Sequence, residues 1–548
     1  MDYFDLGDYS FPVTTNSKDA QLWFDRGLMW IYGYNHEEAI FCFDKAIEID
    51  ENCAMAYWGV SYAVGPNYNK KWMDFSEKDK SNCVDRSKES LITAKSISNL
   101  TPVERDLIKS LDERYPDDPM LEDFSDYNDA YANKMRETYR NHNTNLEVCA
   151  LFAEALMNRT PWQLWEVGTG QVKAGANTQE AISVLETAFS NLDYKGANSH
   201  PGLLHMYIHL MEMSPHPEKA LKAGDALTNL VPDAGHLQHM ATHIDVLCGH
   251  YENVVRRNHI ASKADQKYLD YRGPNTFYTA YVCHNLHFKI YGAMFLGQIK
   301  PALAAASELQ NLLSEEVVRP SADWLESYYA MKFHVLVRFG MWDEIISQEP
   351  PKDTELYCFT TALTYYAKTI AYAATNLIDE AEGQKELFFK AIKAVPETRV
   401  LFNNLCIDIL AIAAEMLEGE VAYRKKEYNK SFDHLRKAVY LDDGLPYEEP
   451  WGWMQPVRHA LGALLLEQDK IEEAEDVYRA DLGIDGKLGR PCQNPDNVWS
   501  LHGLHECLKR RGAHTEARFI KQRLDLANAR ADSPILASCF CRLTHQEF

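Results

Sequence analysis

The chain has 548 residues, 46% hydrophobic and 25% charged, with a formal net charge of −24. Acidic groups spread along its whole length repel phosphate backbones and speak against nucleic acid as a partner; no apolar stretch approaches the roughly 18 residues of a membrane span. The opening MDYFDLGDYSFPVTT has neither the basic nor the apolar segment of a secretory leader, so a cytoplasmic protein is expected, its 12 cysteines mostly reduced.

In chain order, the first structured segment is the clearest. Within residues 20–53, Trp23, Gly27, Trp30, Ala39, Phe43 and Ala46 fall at positions 4, 8, 11, 20, 24 and 27 of a 34-residue unit. Small residues at such spacing let two antiparallel helices approach closely, and the large ones fill the gap between them. This pattern resembles the tetratricopeptide repeat family. The resemblance implies an all-α solenoid of helical hairpins wound as a right-handed superhelix, one able to close around a central cavity.

Phe75 to Met135 reads as charged helix without repeat register, and insertions are expected around Arg159–Gly170 and Tyr268–Val282. The Pro350–Pro351 pair marks a junction between repeat arrays. Beyond it, Gly419, Ser431, Leu435 and Ala438, then Gly462, Ala474 and Tyr478, repeat the spacing, and Trp499 with Gly503 opens a last unit. The predicted division is an arm at 1–18, repeat-like segments at 19–140, 141–349 and 350–532, and a tail at 533–548. Cys539 and Cys541 in that tail read as packing residues. No β-alternating run argues for a sheet, and Gly-rich phosphate loops, G-x-S-x-G elbows and C-x-x-C pairs are missing from the sequence.

The middle of the chain carries the histidines. Ala220 and Pro232 set a unit starting at Pro201; Gly249, Tyr251 and Ala261 set the next, starting 34 residues later at Gly235. Gly297 and Ala302 start a third at Cys283. In the repeat family, positions 2, 5, 9 and 12 of each first helix face the groove. Those positions hold His205, His209 and Glu212 in the first unit, His236, His239 and His243 in the second, and His284, His287 and Tyr291 in the third. The stretches NHEEA, GPNYN, HPGLLHMYIH, HLQHMATHI and HNLHF also resemble a subgroup of bacterial and fungal tetratricopeptide proteins, which implies the same fold and the same inward histidines.

Residues four apart share a helical face with Cβ atoms about 5–6 Å apart, and packed helices sit about 8–10 Å axis to axis. Imidazoles from adjacent helices then reach one ion at Zn–N distances of about 2.0–2.1 Å. The expectation is one or two divalent transition metals (Zn, Cu or Fe) bound by His205, His209, His236, His239, His243, His284 and His287. Glu212 and Tyr291 are then the candidates for proton relay in hydrolytic or oxidative chemistry on a small molecule or peptide. Eight donors exceed the four of one zinc ion, so some of these groups are expected to hold other ligands or face substrate. The polar segments Asn35–Glu38 and Gly65–Asn69 serve as caps and turns, and their side chains are of a kind that lines a channel. The alternative is a non-catalytic scaffold with a peptide in its groove. Histidines stand where a carboxylate clamp would use Lys, Arg and Asn, so a clamp of that type is disfavoured.

Overall fold

A computed structural model describes residues 3–190 and 196–543. The chain is all-α: the described strands are the two-residue antiparallel pair Val400–Leu401 and Asn404–Leu405. Among the described residues no helix is long and apolar enough to cross a membrane.

The first hairpin shows how the repeat residues make the fold. Helix Lys18–Tyr32 starts at Ser17, whose side chain accepts from the Ala20 N–H, and helix His36–Ile49 starts at Asn35, which accepts from Glu38. Both caps satisfy amides left without partners at a helix start. The Phe43 ring then fills the space between two helices that each present a glycine. A Cβ built on Gly27 or on Gly59 would lie 2.6 Å from that ring. Tyr478 repeats the device near the C-terminus, wedged against Gly462 and Gly503. One aromatic side chain thus sets the spacing on both sides of its helix, within its own hairpin and against the next.

The chain forms two compact units. The first comprises Met1–Ile244 and Ile260–Tyr278; the second comprises Asp245–His259 and Thr279–Phe548. In the first unit the N-terminal arm is stitched down rather than trailing. The Tyr3 hydroxyl accepts from Trp30 Nε1 and donates to Glu38, and the backbone of Asp5 exchanges hydrogen bonds with Asp233, three residues before His236. The charged region without repeat register forms helices Glu77–Ser96, Pro102–Asp112 and Ser125–Asn141. In the second unit, hairpins such as Cys406–Arg424 with Tyr428–Asp443 and Val457–Glu467 with Ile471–Asp481 follow one another. Pro350–Pro351 lies inside this unit, between helices Trp342–Ser347 and Cys358–Ala374.

Two sequence expectations are corrected. The insertion read at Tyr268–Val282 is shorter, because helix Tyr251–Arg272 runs on with Tyr268 buried on its inner face, and the next helix already begins at Thr279. Cys539 and Cys541 are joined in a disulfide rather than packed as two thiols.

Candidate functional site

The site is built in the first unit, on two short, wholly buried helices. Helix Pro201–Glu212 begins with Pro201, whose missing N–H costs nothing at that position. His200 caps it, Nδ1 accepting from the Leu203 N–H while Nε2 lies 3.3 Å from Glu147. Gly202 packs directly on the Tyr32 ring, where a Cβ would stand 2.3 Å away, and this seats the helix on the first hairpin. Gly235 plays the same part for the second helix, against Asp265. Asp265 holds the Tyr278 hydroxyl, which in turn accepts the His236 N–H.

The second helix is not continuous. It runs Gly235–His239 and then Ala241–Leu247, with Met240 between. The Thr242 hydroxyl donates to the His239 carbonyl, and the His243 N–H bonds the Met240 carbonyl, a tighter i to i−3 step. This local tightening accompanies an approach of His239 Nε2 to His243 Nε2 of 2.8 Å.

His205, His209, Glu212, His236, His239 and His243 each expose 1% or less of their surface. They sort into two linked groups. In one, a ring nitrogen each from His205, His209 and His236 lies within 4.8 Å of the other two, and His205 Nε2 faces His236 Nε2 at 3.2 Å. Two nitrogens on a tetrahedral ion at about 2.0–2.1 Å stand roughly 3.3 Å apart, so this spacing suits a shared metal. Among the described residues His209 Nε2 has no hydrogen-bond partner. Desolvation holds His205 and His209 well below the usual histidine range, so both rings are neutral.

In the other group a carboxylate orders the rings. Glu212 lies 3.0 Å from His209 Nδ1 and 2.7 Å from His243 Nδ1. A carboxylate on Nδ1 fixes the tautomer with Nε2 unprotonated, the form that binds metal. The contacts continue from His243 to His239 and on to Thr242, whose hydroxyl lies 3.2 Å from His239 Nδ1. Glu212 is therefore held between two imidazoles, in place to orient ligands.

Aromatic rings enclose the triad. Tyr34 stacks on His236 at 5.1 Å and lies 4.6 Å from His205; Tyr68 lies 4.9 Å and Trp162 5.7 Å from His209. Tyr34 has φ +54°, a left-handed conformation unfavourable for a bulky residue. It stands in the turn before the NHEE segment, and it also lines a cavity of about 290 Å³. From the polar segments, Asn35, His36, Glu37, Gly65 and Asn67 line that cavity too, as well as capping and turning.

The remaining predicted residues belong to the second unit. His284, His287 and Tyr291 sit on helix Thr279–Phe295. His284 packs against Phe288 and Phe402. His287 Nε2 lies 2.7 Å from the Met454 thioether with Tyr328 beside it, and burial pushes its pKa down to about 3. Tyr291 packs on Phe295 and lines a small cavity with Asp442 and Asp481; burial, reinforced by those carboxylates, raises its hydroxyl pKa. Tyr34, Tyr68, Trp162, Tyr278 and Met454 were not found from sequence. Each is remote in the chain from the histidine it touches; Tyr34 stands beside the flagged NHEE segment, Tyr68 within the flagged Gly65–Asn69 segment, and Trp162 and Tyr278 within the stretches read as insertions.

A tetratricopeptide repeat family model matches residues 20–53, and no curated protein matches the chain. Solved structures resemble it loosely. Yeast Tom70 is 13% identical over 94% of this chain and 97% of its own, with a TM-score of 0.26. A human IFIT1 dimer with m7Gppp-AAAA is 12% identical over 94% and 91%, at 0.30. The Cut9–Hcn1 hetero-tetramer of the APC/C is 13% identical over 96% of each chain, at 0.26.

Proposed function

We propose that the first unit binds one divalent transition metal through His205, His209 and His236, and that the metal serves chemistry on a small molecule. The observation that carries this is the unpartnered Nε2 of His209, fully buried beside two imidazoles whose own Nε2 atoms face each other at 3.2 Å. Burying a polar atom without a partner costs about 1–3 kcal/mol, and a bound ion removes that cost. The donor set of neutral imidazoles suits zinc, copper or iron. Such a metal supplies Lewis acidity, or one-electron chemistry if it is copper or iron. The chain's own part is to fix the His209 tautomer through Glu212 and to exclude water with Tyr34, Tyr68 and Trp162.

Metal analysis after purification without chelators tests the reading. The expected result is close to one metal per chain in the wild type and less than a tenth of that in His209→Ala and His236→Ala. No metal after purification, and none taken up on titration with Zn²⁺, Cu²⁺ or Fe²⁺, would contradict it.

A second reading has its own support: residues 20–53 match a tetratricopeptide repeat, and stacked repeats of this kind commonly present peptide-binding surfaces. In that reading the histidines are architectural. A peptide partner bound equally by wild type, chelated protein and His209→Ala would favour it.

A further inference from the structure

The cavity of about 290 Å³ beside Tyr34 has a chemical character of its own. Lys70 reaches it from a tight turn in which the Lys70 N–H bonds the carbonyl and the Oδ1 of Asn67. The ammonium lies 4.3 Å from the Phe75 ring centroid and 4.2 Å from that of Phe277. Among the described residues no carboxylate comes within ion-pair distance of it. Burial pulls its pKa down, opposed by the more distant Asp79 and Glu37.

The balance of terms leaves a deficit. Two cation–π contacts replace only part of the hydration that the half-buried Lys70 ammonium gives up. An anion in the cavity would meet that deficit. Asn35 lies beside it, 1% exposed, its Oδ1 used on the helix cap and its amide hydrogen-bonded to the Tyr268 hydroxyl. Phe75, Phe277, Ile40 and Val64 make the walls apolar. The exposed acids Glu37 and Asp79 also line the cavity and repel a second negative charge. The volume is at the small end of ligand sites, about 300 Å³ and upward.

We infer that this cavity binds a small organic monocarboxylate, its carboxylate on Lys70 and its apolar body between Phe75 and Phe277. The inference stands on the cavity's own residues and goes beyond the proposed metal site.

Calorimetric titration of the full chain with benzoate, phenylacetate and hexanoate tests it, with the matching amides as neutral controls at constant ionic strength. At least one carboxylate should bind, its amide at least tenfold more weakly. Lys70→Met keeps the apolar stem and should lower carboxylate affinity at least tenfold. Phe277→Leu, a milder change on a loop, should lower affinity for the aromatic acids. The titrations are run on chelated and on metal-loaded protein, and the chelated protein should bind as well. Failure of all three acids to bind, or equal affinity in wild type and Lys70→Met, would overturn the inference. So would binding that requires metal and ignores Lys70, because the carboxylate would then sit on the ion.

Discussion

Two fully buried histidines, one in each unit, sit in opposite surroundings. His459, in the second unit, has both nitrogens engaged. Its Nε2 donates to Asp481 at 3.0 Å and its Nδ1 accepts from Arg338 at 2.9 Å. Asp481 also accepts from Ser500, Asn497 and Asn494. His209, in the first unit, is held on one side by Glu212 and leaves Nε2 without a hydrogen bond among other imidazoles. Burial lowers the pKa of both rings, and in His459 the Asp481 carboxylate opposes the shift. The difference lies in completeness. A satisfied network fixes a hairpin, whereas a lone pair left open in a dry interior is a binding feature.

The most damaging change should be at the complete network. Asp481→Ala strands the donors of His459, Ser500, Asn494 and Asn497, and breaking such a buried pair costs about 3–5 kcal/mol. Urea unfolding should show that loss while metal content stays at the wild-type level. An Asp481→Ala protein as stable as wild type would mean that completeness is not what stabilises the second unit.

Carboxylates of one helix extend the comparison. Glu147, although buried, is held below the usual carboxylate range by His200 and by the hydroxyls of Tyr32 and Tyr9. Glu154, two turns on, pairs with no cation among the described residues; burial raises it to about 8 despite Asn158. Its folded pKa lies above its unfolded one, so its contribution to stability is fully present below about 4.5 and lost as the pH rises through about 8. Glu154→Gln should therefore gain on the wild type between pH 5 and pH 8, by an amount on the order of a few kcal/mol. A pH-independent difference between the two would show that Glu154 is ionised in the fold.

The hairpin of residues 20–53 was legible because its glycines and aromatics contact one another at short, fixed spacing. Helix Pro201–Glu212 was legible for the same reason: register alone places His205, His209 and Glu212 on one face. Register gives a face but not its partners. Tyr34, Tyr68 and Trp162 come from distant turns, and Lys70 lies between Phe75, near it in the chain, and Phe277, 207 residues further on. The break at Met240 depends on one threonine hydroxyl competing for a carbonyl, which no periodicity reports. The assignment of His284, His287 and Tyr291 to the second unit likewise depends on packing over hundreds of residues.

The central claim concerns His209, and one titration addresses it most directly. Thermal unfolding of chelated wild type and His209→Gln is followed with increasing Zn²⁺. The wild type should gain about 2.7 kcal/mol at a hundredfold excess over Kd, while His209→Gln, similar to it without metal, should gain almost nothing. Equal stabilisation of the two proteins, or none in either, would contradict a metal held by His205, His209 and His236.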